Sequence, residues 1–514
     1  MAASGQRIVH LDGSSLSLDD LEAVAVNGAR VVLDPAARRK IQASRSLVER
    51  LSASEQAVYG LNTGFGHLAS VRVPAQHLGE LQKNLVRSHC VGVGACLPRA
   101  AVRATMLLRA NALARGHSGI RPAAVEMLLT LLNEKIHPRI PSQGSVGASG
   151  DLAPLAHLAR GLMGEGTVEK DGRDLPARLV LGEVGLPPLE LKEKEGLALI
   201  NGTQVTTAIG ALALIRSERL VRCADVTGAM SLEGLKGSIR PFDPRVQAVR
   251  PHPGQASTAE NLRRLTADSG IEASHRECGR VQDSYALRCM PQVHGAVRDT
   301  LAHARQVLTI EANSSTDNPL VFAPDQEMLS CGNFHAAPAG YVLDFLAIVM
   351  ADLASISERR IERLVNPMLS GLPAFLTPDP GLHSGFMLVQ VTAAALVSEN
   401  KILAHPASVD SIPTSANKED HVSMATLAAR KATQVVDNTA RVLALEALAA
   451  AQALDFLEPL EPGRGVAAAH AALRRQVARL STDRPMAEEI EKVRDMLEDG
   501  RLCQAVEDGA GPLL

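Results

Sequence analysis

The 514-residue chain has no tryptophan, three tyrosines and eight phenylalanines. That shortage disfavours sheet sandwiches with aromatic inner faces. Alanine and leucine must fill the core, which suits close-packed helices. No C-x-x-C pair occurs among the seven cysteines (90, 96, 223, 278, 289, 331 and 503), so a reducing compartment without a structural zinc site is expected. There is no H-E-x-x-H or comparable ligand spacing around His294, His335 or His421, so no metal is expected either. No basic run able to track a phosphate backbone is present, and the net charge is −3, which argues against a nucleic-acid partner. The opening MAASGQRIVHLDG has no basic region followed by an apolar stretch. The most apolar stretch, YVLDFLAIVMADLASIS, is interrupted by Asp344 and Asp352, which disfavours a membrane span. A cytoplasmic protein is the expectation.

Apolar residues make up 46% and charged residues 21%, the balance of a globular chain with ample core. A chain of this length corresponds to about three domain-sized units. Residues 1–75 mix β-like pieces, RIVHLDG and ARVVLD, with helical pattern. The three- and four-residue spacing of Leu and Met predicts helices at 81–86 and within 100–135. Pro138, Pro141 and Gly144 break the pattern, and 165–187 read as a surface excursion. Long helices are predicted at 204–235, 280–312, 338–366, 386–402 and 420–457, and helices of such length pack as bundles. No strand–helix alternation supports a parallel sheet, which weakens a nucleotide-binding fold. The organisation expected is an N-terminal part over 1–200 and a helical bundle over 201–514, in one continuous unit.

Within the N-terminal part lies SQGSVGASGDLAPLAHLAR, residues 142–160. It is not a P-loop, because no Lys-Ser or Lys-Thr closes it. It is not a nucleophile elbow, because Asp151 stands where the last Gly belongs. A plain loop with a helix cap, or an anion site at a helix N-terminus, remains open. Asp151 and Pro154 suit the first turn of a helix. A further reading uses the backbone itself. The amide nitrogen of Gly150 can attack the carbonyl carbon of Ala148, closing a five-membered ring through Ser149. Loss of one water makes the ring conjugated, and loss of the Ser149 hydroxyl as a second water leaves an exocyclic methylidene. The product is an electrophile made without an external cofactor, and glycine suits the tight bend.

Ala148-Ser149-Gly150 within SVGASGDLAPLAH resembles the aromatic amino acid ammonia-lyases, which depend on this 4-methylidene-imidazole-5-one group (MIO). YGLNTGFG (59–66), LQKNLVRSHCVGVG (81–94), INGTQ (200–204), VQDSYALRC (281–289), NSSTDNPLV (313–321), CGNFHAAP (331–338) and SVDSIPTSANKEDHVSM (408–424) are similar to that family in the same order. The resemblance implies a mainly α, aspartase/fumarase-like fold, with a long central bundle and a smaller mixed N-terminal part carrying the MIO loop. It also implies a homotetramer whose active sites combine loops from several subunits.

The chemistry asks for a base to take a β-proton of low acidity and for help in expelling a poor amine leaving group. Tyr59 is the expected base. Its ordinary pKa of about 10 must then be lowered by its pocket. Arg288 can pair both oxygens of a substrate carboxylate. Gln282, Tyr285 and Arg288 share one helix face if QDSYALR is helical, and the resemblance places Gln282, Tyr285 and Asn201 in the same pocket. The Ser88-His89 pair resembles the histidine-selective members, whereas tyrosine- and phenylalanine-selective members have His-Leu or Phe-Leu there. His89 can hydrogen-bond a substrate imidazole, Glu419 can accept from imidazole or amine, and Phe334 can pack on the substrate or the MIO ring. Lys418 departs from the glutamine of many members. The activity implied is conversion of L-histidine to trans-urocanate and ammonia, opening histidine degradation. The rivals are tyrosine or phenylalanine lyase, a 2,3-aminomutase of the same family, and a helical scaffold with an uncyclised loop.

Overall fold

The two β-like pieces near the start form paired strands, Ile8–Leu11 alongside Arg30–Leu33 in parallel register. The helix Leu18–Ala25 crosses between them, and Ser17 and Asp20 close a capping box at its start. The computed structural model describes residues 7–53, 60–64 and 71–514. They fall into two compact units. One takes Met1–Leu212, Arg305–Asp344 and Pro406–Arg430, and the other takes Ala213–Ala304, Phe345–His405 and Lys431–Leu514.

In the first unit the helix Arg99–Ala114 is buried on every side from Ala101 onward. Helices Leu18–Ala25 and Pro122–Asn133 pack against it. Its Arg103 is buried, yet it donates to the Val24 carbonyl at 2.8 Å and to the Leu132 carbonyl at 2.9 Å. Both carbonyls belong to last turns of neighbouring helices, which lack intrahelical partners and favour a cation. The excursion at 165–187 is a hairpin, Thr167–Lys170 against Arg173–Pro176, followed by a helix Ala177–Glu183. Asp171 and Gly172 make its two-residue turn with φ of 51° and 77°, the backbone such a turn requires.

The second unit is a bundle. It takes residues 213–234 of the helix Gln204–Gly234 and parts of Met290–Ala312, Ala337–Val365 and Ala425–Asp455. Small residues bring these helices close: a Cβ on Gly234 would stand 3.1 Å from the Ala453 Cβ. Arg360 and Glu446 form a fully buried ion pair, and the hydroxyls of Thr227, Ser231 and Ser357 also donate to Glu446. The helix Ala337–Val365 is long and apolar enough to cross a membrane. Its buried stripe nevertheless recurs every three or four residues, through Leu346, Met350, Leu353, Ser357, Arg360 and Leu364. That is the pattern of a bundle helix.

Two expected helices start later than their pattern predicts. The one expected from 420 begins at Ala425, and 281–284 are irregular, followed by the short helix Tyr285–Arg288 and then Met290–Ala312. The Asp283 carboxylate accepts from the Ser238 amide at 2.7 Å and from Arg280 at 3.1 Å, which draws the segment out of helical geometry. Gln282 therefore does not share a helix face with Tyr285 and Arg288.

Candidate active site

The glycine-rich loop 144–150 is tied down at several points, all within the first unit. The helix Leu152–Leu162 starts after Asp151, with Pro154 in its first turn. Asp151 does not cap that helix with its side chain. Its buried carboxylate instead accepts from the Thr206 amide at 2.8 Å and sits within 3.0 Å of the hydroxyls of Thr206, Thr426 and Ser145. Burial raises the Asp151 pKa above the ordinary carboxylate value, while these donors pull it back. The Ser423 hydroxyl donates to the Gly147 carbonyl at 2.8 Å.

At the Ala148-Ser149-Gly150 step itself, Gly150 has φ of +73° and lies against the backbone of Gly202. A Cβ at Gly150 would stand 2.3 Å from the Gly202 oxygen, so only glycine fits. The Asn201 side-chain amide donates to the Ser149 carbonyl at 2.8 Å. Asn201 is in turn held by Arg109, which donates to its main-chain oxygen at 2.7 Å. The MIO group would carry that Ser149 oxygen as its ring carbonyl. A buried amide donor on this atom, a glycine in the left-handed region after it and a loop pinned at both ends all fit such a ring.

Ala148 and Ser149 line a cavity of about 710 Å³ together with His89, Asn201, Phe334 and Glu419. The Ser149 hydroxyl donates to Glu419 Oε1 at 2.7 Å. His89 ends the helix Leu78–His89. Its Nδ1 lies 2.8 Å from the Leu85 carbonyl, so Nδ1 carries the proton and Nε2 the lone pair. Burial lowers the His89 pKa below its ordinary value, against smaller opposing effects of the Leu85 carbonyl and the Glu419 charge. Lys418 also lines the cavity, as do His335 and His421, whose rings stack with centroids 5.9 Å apart.

Four of the expected residues beyond the loop (His89, Asn201, Phe334 and Glu419) thus meet at one cavity with Ser149, and Lys418 lines it beside them. The lining residues of this cavity all belong to the first unit, whereas Gln282, Tyr285 and Arg288 belong to the second. Tyr285 is 71% exposed, and the Arg288 guanidinium lies 4.7 Å from its ring centroid. Tyr59 lies outside the described residues. Its neighbour Gly60 packs closely on Pro319 and on Leu197, and Leu197 lines the cavity. The sequence pattern marks Asp151 as a helix start and leaves Arg109, Thr206 and Thr426 unmarked. Arg109 does carry a signal, being the one charge in the largely apolar MLLRANALA. Among the described residues no group of three or more His, Cys, Asp or Glu could hold a metal ion.

A family model, aromatic amino acid lyase, matches residues 16–475. The histidine ammonia-lyase of Sorangium cellulosum (strain So ce56) is 55% identical over 510 residues, covering 98% of this chain and 99% of that protein. The crystal structure of histidine ammonia-lyase from Trypanosoma cruzi superposes with a TM-score of 0.91 at 43% identity, over 98% of this chain and 95% of that one. Tyrosine aminomutase from Streptomyces globisporus superposes with a TM-score of 0.93 at 41% identity, over 98% of each chain. Matched along nearly its whole length in both sequence and fold, the chain belongs to the aromatic amino acid lyase family.

Proposed function

We propose that the chain is a carbon–nitrogen lyase that converts L-histidine to trans-urocanate and ammonia, opening histidine degradation. The observation that carries this reading is the meeting of His89 and Glu419 with Ser149 in one cavity. Backbone fold does not choose the substrate, since a histidine lyase and a tyrosine aminomutase superpose on the chain equally well. The higher identity to histidine ammonia-lyases and the imidazole-compatible pair His89 and Glu419 favour histidine.

Ala148, Ser149 and Gly150 would form the MIO group, which supplies an electrophile able to capture the amine or the imidazole. The other residues bind and move protons. Asn201 holds a donor on the Ser149 oxygen, where negative charge is favoured. Neutral His89 presents Nε2 as an acceptor for a substrate N–H. Glu419 accepts from imidazole or amine, and Phe334 offers an apolar face. Tyr59 takes the β-proton, and Arg288 pairs the substrate carboxylate, with Gln282 and Tyr285 completing that wall.

A homotetramer with shared sites is part of the proposal. Val281, Tyr285, Met368 and Leu382 are each 71–95% exposed, large side chains of a kind that a second copy would cover. Residues 282–288 would then complete a neighbouring copy's site. The unpaired cysteine pattern supports a cytoplasmic setting.

The test is to add histidine, tyrosine and phenylalanine separately to the purified chain. Urocanate absorbance should grow with histidine alone. A β-amino acid product would indicate an aminomutase, and no product from any of the three would indicate an uncyclised scaffold.

A further inference from the structure

The loop that carries Glu419 has an unusual backbone. Ser415, Ala416 and Asn417 have φ of 53°, 52° and 64°, three consecutive side-chain-bearing residues in the left-handed region. Such residues are sterically costly, and they persist where the surroundings fix them. Here the turn is closed from both ends. The Thr414 amide donates to the Glu419 carbonyl at 3.0 Å, and the Glu419 amide donates back to the Thr414 carbonyl at 3.3 Å. Across this closure the Thr414 hydroxyl donates to Glu419 Oε2 at 2.6 Å. Ser149 donates to the other oxygen, Oε1.

We propose that Thr414 is a positioning residue for the lyase reaction: its hydroxyl anchors Oε2, so that Oε1 is the oxygen Glu419 offers to substrate. This inference rests on the histidine lyase reading above. Both carboxylate oxygens are engaged while Ser149 keeps its hydroxyl. Once that hydroxyl has left as water, Oε1 loses its donor and Oε2 keeps its own. The carboxylate is then already aimed at the cavity with one open acceptor, and the strained turn prevents it from swinging away. A long, flexible glutamate gains most from such an anchor, because its rotamer freedom is lost before substrate arrives rather than during binding.

The experiment compares the full chain with T414V, T414S, E419A and the double variant T414V/E419A. It measures histidine turnover and the intact mass of each. T414V keeps the side-chain shape and removes the donor, so its kcat should fall about ten- to a hundredfold, the scale of a hydrogen bond to a charged group. T414S restores the donor and should stay within about threefold of the parent. In the E419A background, adding T414V should change the remaining rate by less than about twofold, because the group it positions is gone. The mass of T414V should show the same two-water deficit as the parent. Parental turnover by T414V would overturn the inference. So would an equal loss in the E419A background, which would mark a purely structural role, or a T414V chain of full mass. A parent chain that turns over no histidine would defeat the lyase reading and this inference with it, whereas an active parent beside an equally active T414V defeats only the inference.

Discussion

Gly150 and Gly202 meet backbone to backbone, and the Asp151 amide donates to the Gly202 oxygen at 2.7 Å. No side chain fits between them. Gly202 has φ of 149°, and a Cβ there would lie 2.3 Å from Gln204 Oε1 and 2.7 Å from an Arg109 nitrogen. The bed under the Ser149 step is thus made by two glycines, with Arg109 and Asn201 packed behind.

The substitution Gly202→Ala should push against that bed. A Cβ in this backbone region and this space should cost roughly 2–4 kcal/mol, to be read from urea unfolding. It should also move Asn201 off the Ser149 carbonyl. The variant should recover with little or no two-water mass deficit. Parental stability and full ring formation would show that the contact is slack.

His89 should read as a neutral, specificity-bearing histidine. Its burial predicts an NMR titration midpoint below the ordinary histidine value of about 6.5. The neutral form offers Nε2 as an acceptor, so histidine binding through it should weaken on the acid side as the pH falls through that midpoint. His89→Phe should lower kcat/KM for histidine by up to about a hundredfold, the scale of one buried polar group left without its partner, and leave the mass deficit intact. A midpoint above the ordinary value, or unchanged histidine kcat/KM, would contradict this.

Much of the site was legible because its chemistry depends on residue order. Ala148, Ser149 and Gly150 can cyclise only as neighbours, and Leu spacing marked the helices that flank them. What stayed hidden depends on residues far apart. The Asp151 carboxylate reads as a helix cap until Thr206 and Thr426, 55 and 275 positions away, are seen to hold it. The irregular stretch before Tyr285 follows from Asp283 reaching the Ser238 amide, a pairing without local trace. The hairpin at 167–176 did have a local cue, Asp171-Gly172, within a segment read only as surface. On the proposed shared-site assembly, Gln282, Tyr285 and Arg288 meet substrate across a subunit boundary, which one chain's pattern does not encode.

Away from the site, Glu233 sets a pH dependence of stability. It is buried, and both its oxygens accept from the Gly463 amide at 3.0 Å. Burial, with the nearby Glu272 charge, raises its pKa to about 7 against the donors Ser269 and Gly463. The folded state therefore favours the protonated acid. Its contribution is full below the unfolded value of about 4.5 and declines until pH passes about 7. The change amounts to about 3 kcal/mol. Glu233→Gln should flatten this part of the pH–stability curve, as measured by urea unfolding between pH 5 and 8. An unchanged slope would assign it elsewhere.

The intact mass of the purified chain tests the central claim most directly. Condensation of Ala148, Ser149 and Gly150 predicts a polypeptide lighter than its calculated sequence mass by two water molecules, with Ser149→Ala folded, lacking the loss of the side-chain water and nearly inactive. A parent chain weighing its full calculated mass would contradict the account.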